Sequence, residues 1–260
     1  MSDFNDFRVV IPVRMNSKRL PGKPLLEMGG LPMIQHVYQR ALESCASSVV
    51  IATASEEIRE VAEGFGATVC LTSADHPSGT DRLAEVVVAM GYDDSDIVVN
   101  LQGDEPLMPP QLIQRVAEDL SIHDMVKLST ACEVITDPVD LLNPDVVKVV
   151  LNHRGFAIYF SRAPIPWNKA LSSNEAKSVM QGQHYRHIGL YAYRAGFLSE
   201  YLAWAPSPLD QMESLEQLRV LWQGCRIHCI VQEGKSVASS VDGPEDLERV
   251  RALMGKSPST

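Results

Sequence analysis

The sequence lacks the features that would send it into a membrane, an oxidising compartment or a nucleic-acid groove. No apolar run reaches the roughly 20 residues of a membrane-spanning helix. The opening MSDFNDFRVVIPV has no basic segment followed by a long apolar stretch. No secretory signal is therefore expected, and a cytoplasmic location is. The five cysteines (Cys45, Cys70, Cys132, Cys225 and Cys229) are odd in number and scattered, a pattern of reduced thiols rather than a disulfide framework. Cations are in deficit, 23 Lys+Arg against 33 Asp+Glu for a formal charge of −10. That removes the broad phosphate-neutralising face a general nucleic-acid binder needs, while leaving room for a local anion site. Internal repeats and low-complexity linkers are missing. So are G-x-x-x-x-G-K-[ST] and G-x-G-x-x-G, which excludes a P-loop and a dinucleotide fingerprint.

What is present is a regular alternation. Phe7–Val13 reads as a buried strand, followed by a basic loop and a helix over 31–44 with Ile34, Val37, Tyr38, Ala41 and Leu42 on one face. Strands at 48–53 and 67–72 flank a helix opened by Ser55 as N-cap. A helix over 78–90, a strand from 96 running into the QGDEP loop, and a helix over 109–120 with proline in its first turn continue the series. This spacing predicts an α/β fold, a mainly parallel twisted sheet with flanking helices. The second half is less regular and predicts a smaller mixed α+β lobe. It holds strands at 126–135, 146–152, 155–162 and 185–194, a polar loop over 163–184, and a continuous helix from 208 to Gly224. CRIHCIV places Cys225, Ile227, Cys229 and Val231 on one face of a strand, as buried structural thiols rather than a metal site. A last helix follows VDGPED. The chain is expected to form one unit over 1–255, with a core of about 1–125 and 225–255, a lobe of about 126–224, and a frayed tail at 256–260.

RMNSKRLPGKPL (Arg14 to Leu25) is the local anomaly: four cations and no acid in an acidic chain. A basic, Gly-containing loop between a strand and a helix suits a polyphosphate; the plain alternative is a solvated basic turn. Ligands in such sheets bind beyond the carboxyl ends of the strands. QGDEP lies at another such end, so the two loops are expected to face one crevice.

The order of residues goes further. R-x-x-S-x-R-L-P-G-K-P-L after an IP strand end resembles the nucleotide loop of the 3-deoxy-manno-octulosonate (KDO) cytidylyltransferase family. ADHPSGTDRLAEV, VVNLQGDEP, YFSRAPIPW, RHIGLYAYR, LEQLRVLWQG and VDGPEDLERVR continue the resemblance in the family's order across essentially the whole chain. It implies a Rossmann-like nucleotidyltransferase fold with a nucleotide and metal core and a lobe for the sugar and for dimerisation. The implied reaction joins CTP and KDO to give CMP-KDO and pyrophosphate, with Mg²⁺, for lipopolysaccharide assembly. A homodimer is implied as well.

Carried residue by residue, the resemblance implies that Arg14, Lys23 and Asp104 are catalytic. Arg14 and Lys23 would meet the CTP phosphates with Ser17 beside them. Pro12, Val13, Ser78, Arg82 and Gln102 would surround the cytosine. Asp104 and Asp242 would hold Mg²⁺, which prefers oxygen ligands and takes few carboxylates when phosphates supply the rest. Arg19 and Arg162 would grip the sugar carboxylate, and His187, Tyr191, Glu216 and Gln217 would line the sugar site. Simpler roles stand beside these. Lys23 could be a turn lysine, Asp242 a helix cap before Pro244, and Arg82 a helix-surface arginine. His187 and Tyr191 could be core residues; Tyr191 shares a strand face with Tyr193. Glu216 and Gln217 are about 100° apart on a helix, so a ligand must lie across the helix edge to meet both. Glu105 is left out of the metal set, since successive residues need not point the same way. Two departures are Gly243, where the family has threonine, and Lys18, where it has a small residue or threonine.

Three rival readings remain at this stage. The first is another sugar nucleotidyltransferase; hexose-phosphate enzymes carry a G-x-G-T-R-L loop that is absent here, and CMP-sialate synthetases lack this QGDEP and LEQLR set. The second is an enzyme specific for 8-amino-KDO, and the third a non-catalytic nucleotide-binding protein.

Overall fold

In the computed structural model, residues 4–15, 17, 19–76, 78–168, 183–234 and 240–254 are described. The expectations for Lys18, the tail at 256–260 and most of the polar loop, residues 169–182, lie outside them. The chain runs β1 (Arg8–Val13), a 3₁₀ turn (Lys23–Leu25), β2 (Glu27–Met28), β3 (Leu31–Pro32), α1 (Met33–Leu42), β4 (Ser48–Thr53), α2 (Glu56–Gly64), β5 (Thr68–Leu71), α3 (Gly79–Ala89), β6 (Ile97–Asn100) and α4 (Pro110–Ser121). It continues through β7 (Leu128–Val134), α5 (Pro138–Leu142), β8 (Lys148–Leu151), β9 (Ala157–Ser161), β10 (Tyr185–Arg194), α6 (Ala195–Leu202), α7 (Pro208–Glu213), α8 (Gln217–Trp222), β11 (Ile227–Gln232) and α9 (Pro244–Met254).

The main sheet has the order β11-β7-β10-β6-β1-β4-β5, with β8 and β9 joined at β10. β10 runs against both of its neighbours; the other strands of that path share one direction. β1, β4 and β6 read as nearly unbroken apolar runs because both faces are covered. Val9, Ile11 and Val13 of β1 pack with Ile34 and Val37 of α1 and Leu112 and Val116 of α4. Val10 points the other way, toward Leu83, Val86 and Val87 of α3. From β1 the chain builds outward to β4 and β5, then returns to place β6 on β1's other side. The ends of β1 and β6 therefore form the switch point where sheets of this kind bind ligands.

The expected helix over 208–224 is two short helices. Ser214 breaks it in the left-handed region at φ 52°. The cause is packing: Leu215 is buried in the core, and Arg219 of α8 reaches back to Asp210 of α7 at 2.7 Å. The break turns Glu216 toward Thr80 of α3 and buries Gln217. Within CRIHCIV, Ile227 and Cys229 are buried, whereas Val231 is exposed and Cys225 precedes the strand.

His228 of β11 is a structural staple. One ring nitrogen meets Asp119 of α4 at 2.8 Å and the other the Arg154 carbonyl at 2.9 Å. The ring stacks on His123, with centroids 4.2 Å apart. Two acceptors facing both nitrogens favour imidazolium. Burial alone would lower the His228 pKa, but the Asp119 hydrogen bond and charge and the Arg154 carbonyl outweigh it, and the net shift is upward. A raised folded pKa stabilises the fold below the unfolded value of about 6.5, and this is lost as pH rises through the folded pKa. His228→Gln should accordingly lower Tm most at mildly acid pH and progressively less toward alkaline pH. A pH-independent difference in melting curves would contradict this.

Candidate active site

The basic loop leaves β1 at Val13 and turns on itself. The Leu20 N–H donates to Ser17 Oγ at 3.2 Å and the Lys23 N–H to the Leu20 carbonyl at 3.2 Å. Gly22 adopts φ 67°, a conformation that costs glycine little, and so reverses the chain into the 3₁₀ turn that starts at Lys23. The lysine then points at QGDEP. Its ammonium donates to Asp104 Oδ2 at 2.6 Å and lies 3.8 Å from Asp242 Oδ1. Arg19 meets the same Asp242 oxygen at 3.0 Å. Gly103 lets QGDEP cross the end of β1, since a Cβ there would meet Val13 Cγ2 at 2.9 Å and the Pro12 carbonyl at 3.2 Å. The Val241 N–H donates to the Asp104 carbonyl at 2.9 Å and ties the third loop to the second.

Asp242 is not the cap of α9. Asp246 takes that work: its Oδ2 accepts from the Asp242 and Gly243 N–H groups at 3.0 and 2.9 Å, the reach-back half of a capping box. Asp242 is left free to face Lys23 and Arg19. Two carboxylates from separate loops thus converge on one ammonium. This oxygen-only pair, open to a crevice, fits a Mg²⁺ that takes its other ligands from phosphate and water.

Around this point lies a cavity of about 470 Å³, lined by Arg14, Ser17, Arg19, Lys23, Asp104 and Asp242 among others. A small recess of about 80 Å³ adjoins it, bounded by Pro12, Val13, Arg14, Ser78, Arg82 and Gln102, with His76 and Gly79. The five residues expected around the cytosine therefore meet. Arg82 is buried rather than on the helix surface; its guanidinium donates to Thr72 Oγ1 and, at 3.2 Å, to the Ser73 carbonyl. Burial pulls its pKa down. Ser78 caps α3, accepting from the Asp81 N–H at 3.2 Å.

On the other side of Arg14 and Gln102 a cavity of about 300 Å³ holds Tyr191, Glu216 and Gln217. Tyr191 and Gln217 also line a further cavity of about 380 Å³, with His187, Arg186 and Glu105. Glu216 accepts from Thr80 Oγ1 at 3.0 Å, and burial raises its carboxyl pKa. His187 has its pKa pushed down to about 3 by burial and is neutral. Its Nε2 lies 2.9 Å from Thr130 Oγ1. That hydroxyl spends its one proton on the Leu190 carbonyl at 2.7 Å, so Nε2 must donate and Nδ1 is left as an acceptor. Tyr191 packs between His187 and Tyr193, with ring centroids 5.3 and 5.9 Å away. It is partly core and partly cavity wall.

Arg162 corrects the expectation. Its guanidinium donates to the backbone carbonyls of Glu213 at 2.7 Å, Pro144 at 3.0 Å and Ser214 at 3.5 Å. Its charge is committed to clamping the break between α7 and α8, and it lines none of these cavities. The sequence reading missed Glu105, Arg186, Thr80 and Asn100. Successive residues of QGDEP do diverge: Asp104 faces Lys23, and Glu105 faces the cavity beside His187. Burial first, then the Asp104 charge, pushes the Glu105 pKa up to about 8. Arg186 shares β10 with His187 and pairs with Glu133; its place in RHIGLYAYR was the available signal.

A family model described as Cytidylyltransferase matches residues 8–227. The 3-deoxy-manno-octulosonate cytidylyltransferase of Coxiella burnetii (strain RSA 493 / Nine Mile phase I) is 56% identical over 247 residues, 95% of this chain and 99% of that one. The protein of the same name from Pasteurella multocida (strain Pm70) is 50% identical over 259 residues, 96% of this chain and 99% of its own. Among solved structures, CMP:2-keto-3-deoxy-manno-octonic acid synthetase complexed with CTP superposes with a TM-score of 0.85 at 38% identity, covering 96% of this chain and 99% of that one. A cytidylyltransferase from Leptospira borgpetersenii shares the fold alone, with a TM-score of 0.62 at 16% identity, covering 98% of this chain and 89% of its own.

Proposed function

Because the chain belongs to the 3-deoxy-manno-octulosonate cytidylyltransferase family, we propose that it joins CTP to KDO, giving CMP-KDO and pyrophosphate for lipopolysaccharide assembly. The observation that carries the reading is one continuous crevice. Arg14 and Gln102 border the phosphate cavity, the base recess and the first sugar-side cavity alike.

In this reading the sugar's anomeric hydroxyl attacks the α-phosphorus and releases its proton to solvent. The bond from that phosphorus to the bridging oxygen breaks, and pyrophosphate leaves with the electron pair. No residue needs to form a covalent bond, so catalysis is positioning plus charge stabilisation. Arg14 and Lys23 take the phosphate charge, with Ser17 and loop N–H groups beside them. Pro12, Val13, Ser78, Arg82 and Gln102 enclose the base, where a recess of about 80 Å³ favours a small ring. Asp104 and Asp242 would hold Mg²⁺, which when bound would supply Lewis-acid stabilisation of the phosphate oxygens. Arg19, at the crevice mouth, offers a guanidinium to the sugar carboxylate. His187, Tyr191, Glu216 and Gln217 present neutral and polar groups to its hydroxyls.

Pyrophosphate release should require CTP, KDO and Mg²⁺ together, and should be weak or absent with sialic acid or hexose 1-phosphates. KDO and its 8-amino analogue are to be run side by side. No release with KDO would refute the reading. The same reading gives a cytoplasmic homodimer. Apolar Ile158, Met212 and Trp222 stay exposed on β9, α7 and α8 and support a partner copy there. Sedimentation at the monomer mass would refute the dimer.

A further inference from the structure

We propose that Glu105 contacts the sugar directly and that, with Gln217, it fixes the polyol rather than the carboxylate in the cavity beside His187. The proposal rests on the reading above and adds a residue that the metal and phosphate chemistry does not use. Glu105 Oε2 and Gln217 Nε2 are fully enclosed and have no hydrogen-bond partner. Enclosed polar atoms are almost always paired in folded proteins, and an unpaired one is costly. The two residues line the same cavity of about 380 Å³, and a rotation of each side chain toward that space would let one ligand satisfy both.

The chemistry of the walls selects the ligand group. Glu105 offers an oxygen, Gln217 an amide N–H, and His187 the acceptor Nδ1 deduced above. A hydroxyl both donates and accepts, and answers each of them. A phosphate or carboxylate only accepts and would face the His187 Nδ1 lone pair unfavourably. Both cations of the cavity are already paired, Arg186 with Glu133 and Arg249 with Asp246. The hydroxylated tail of the sugar therefore belongs against Glu105. Its carboxylate belongs nearer the cations of the phosphate loop.

Glu105→Ala and Glu105→Gln in the full-length enzyme, assayed with Mg²⁺, test this. The alanine variant is expected to raise KM for the sugar at least tenfold, with KM for CTP within twofold of wild type. Its Tm should not fall, because an unpaired enclosed oxygen is removed. The glutamine variant keeps an acceptor oxygen and should recover most of the sugar affinity. Equal losses in both variants, or a parallel change in Mn²⁺ affinity, would mean that the Glu105 charge acts through Asp104, and would overturn the proposal. An unchanged sugar KM in the alanine variant would overturn it too. Wild type silent with KDO would remove the functional reading itself and this inference with it. Wild-type turnover with unaffected variants would sink the inference alone.

Discussion

Asp104→Asn is expected to lower turnover by about 10³-fold or more while the protein still folds. The carboxylate is one of two that converge on Lys23, and the amide that replaces it brings no charge to a divalent ion. A metal's stabilisation of developing charge is worth several kcal/mol, and each ~1.4 kcal/mol is tenfold in rate. The backbone contact from Val241 uses the Asp104 carbonyl, which the substitution spares, so the loop should keep its path. Pyrophosphate release and a melting curve check the two halves of the claim. Near-normal Mg²⁺-dependent activity would show that Asp104 is not a metal ligand.

Lys23→Met is expected to move two quantities in opposite directions. Turnover should fall by about 10³-fold, in the range seen when a cation at a transferring phosphoryl group is removed. Mn²⁺ binding to the nucleotide-free protein should tighten, by about tenfold. In the structure the Lys23 ammonium occupies the ground between Asp104 and Asp242, and two cations cannot share that carboxylate oxygen at hydrogen-bond distance. Lys23 should therefore compete with metal until a phosphate draws it away, and CTP and metal should bind with positive coupling. Calorimetric titration of Mn²⁺ into wild type and variant, with and without CTP, reads both effects. Unchanged metal affinity without nucleotide would refute the competition.

The sequence made the place of the basic loop legible because its signals are local: a strand end, a glycine, and cations within a few residues. The parallel half of the sheet was legible for a similar reason, since strands buried on both faces are written as apolar runs. The break at Ser214 was not. Residues 208–224 keep helical composition throughout, and what interrupts them is the tie from Arg219 to Asp210 together with the burial of Leu215, both tertiary. Arg162 misled for the matching reason. An arginine in a motif beside a sugar site reads as a carboxylate grip, and its three carbonyl partners come from segments whose proximity no local pattern encodes. For Asp242 the sequence left capping and metal binding open; Asp246, four residues on, settles the capping. Glu105 could be read as divergent from Asp104, but the cavity it faces exists only once β10 and α8 are in place.

β10 pairs with β6 so that Tyr191 stands opposite Asn100, two residues before Gln102. The strand that carries His187 and Tyr191 and the strand that feeds the QGDEP loop are thus neighbours in one sheet, not parts of two bodies joined by a hinge. In the proposed reaction the distance between the nucleophile's seat and the seat of the phosphorus is then set when the sheet forms. Much of the entropy of aligning two substrates is spent in folding, before either arrives. A substitution that loosens the β6–β10 rungs should therefore act as a loss of effective concentration, lowering kcat while leaving each substrate's separate affinity nearly intact.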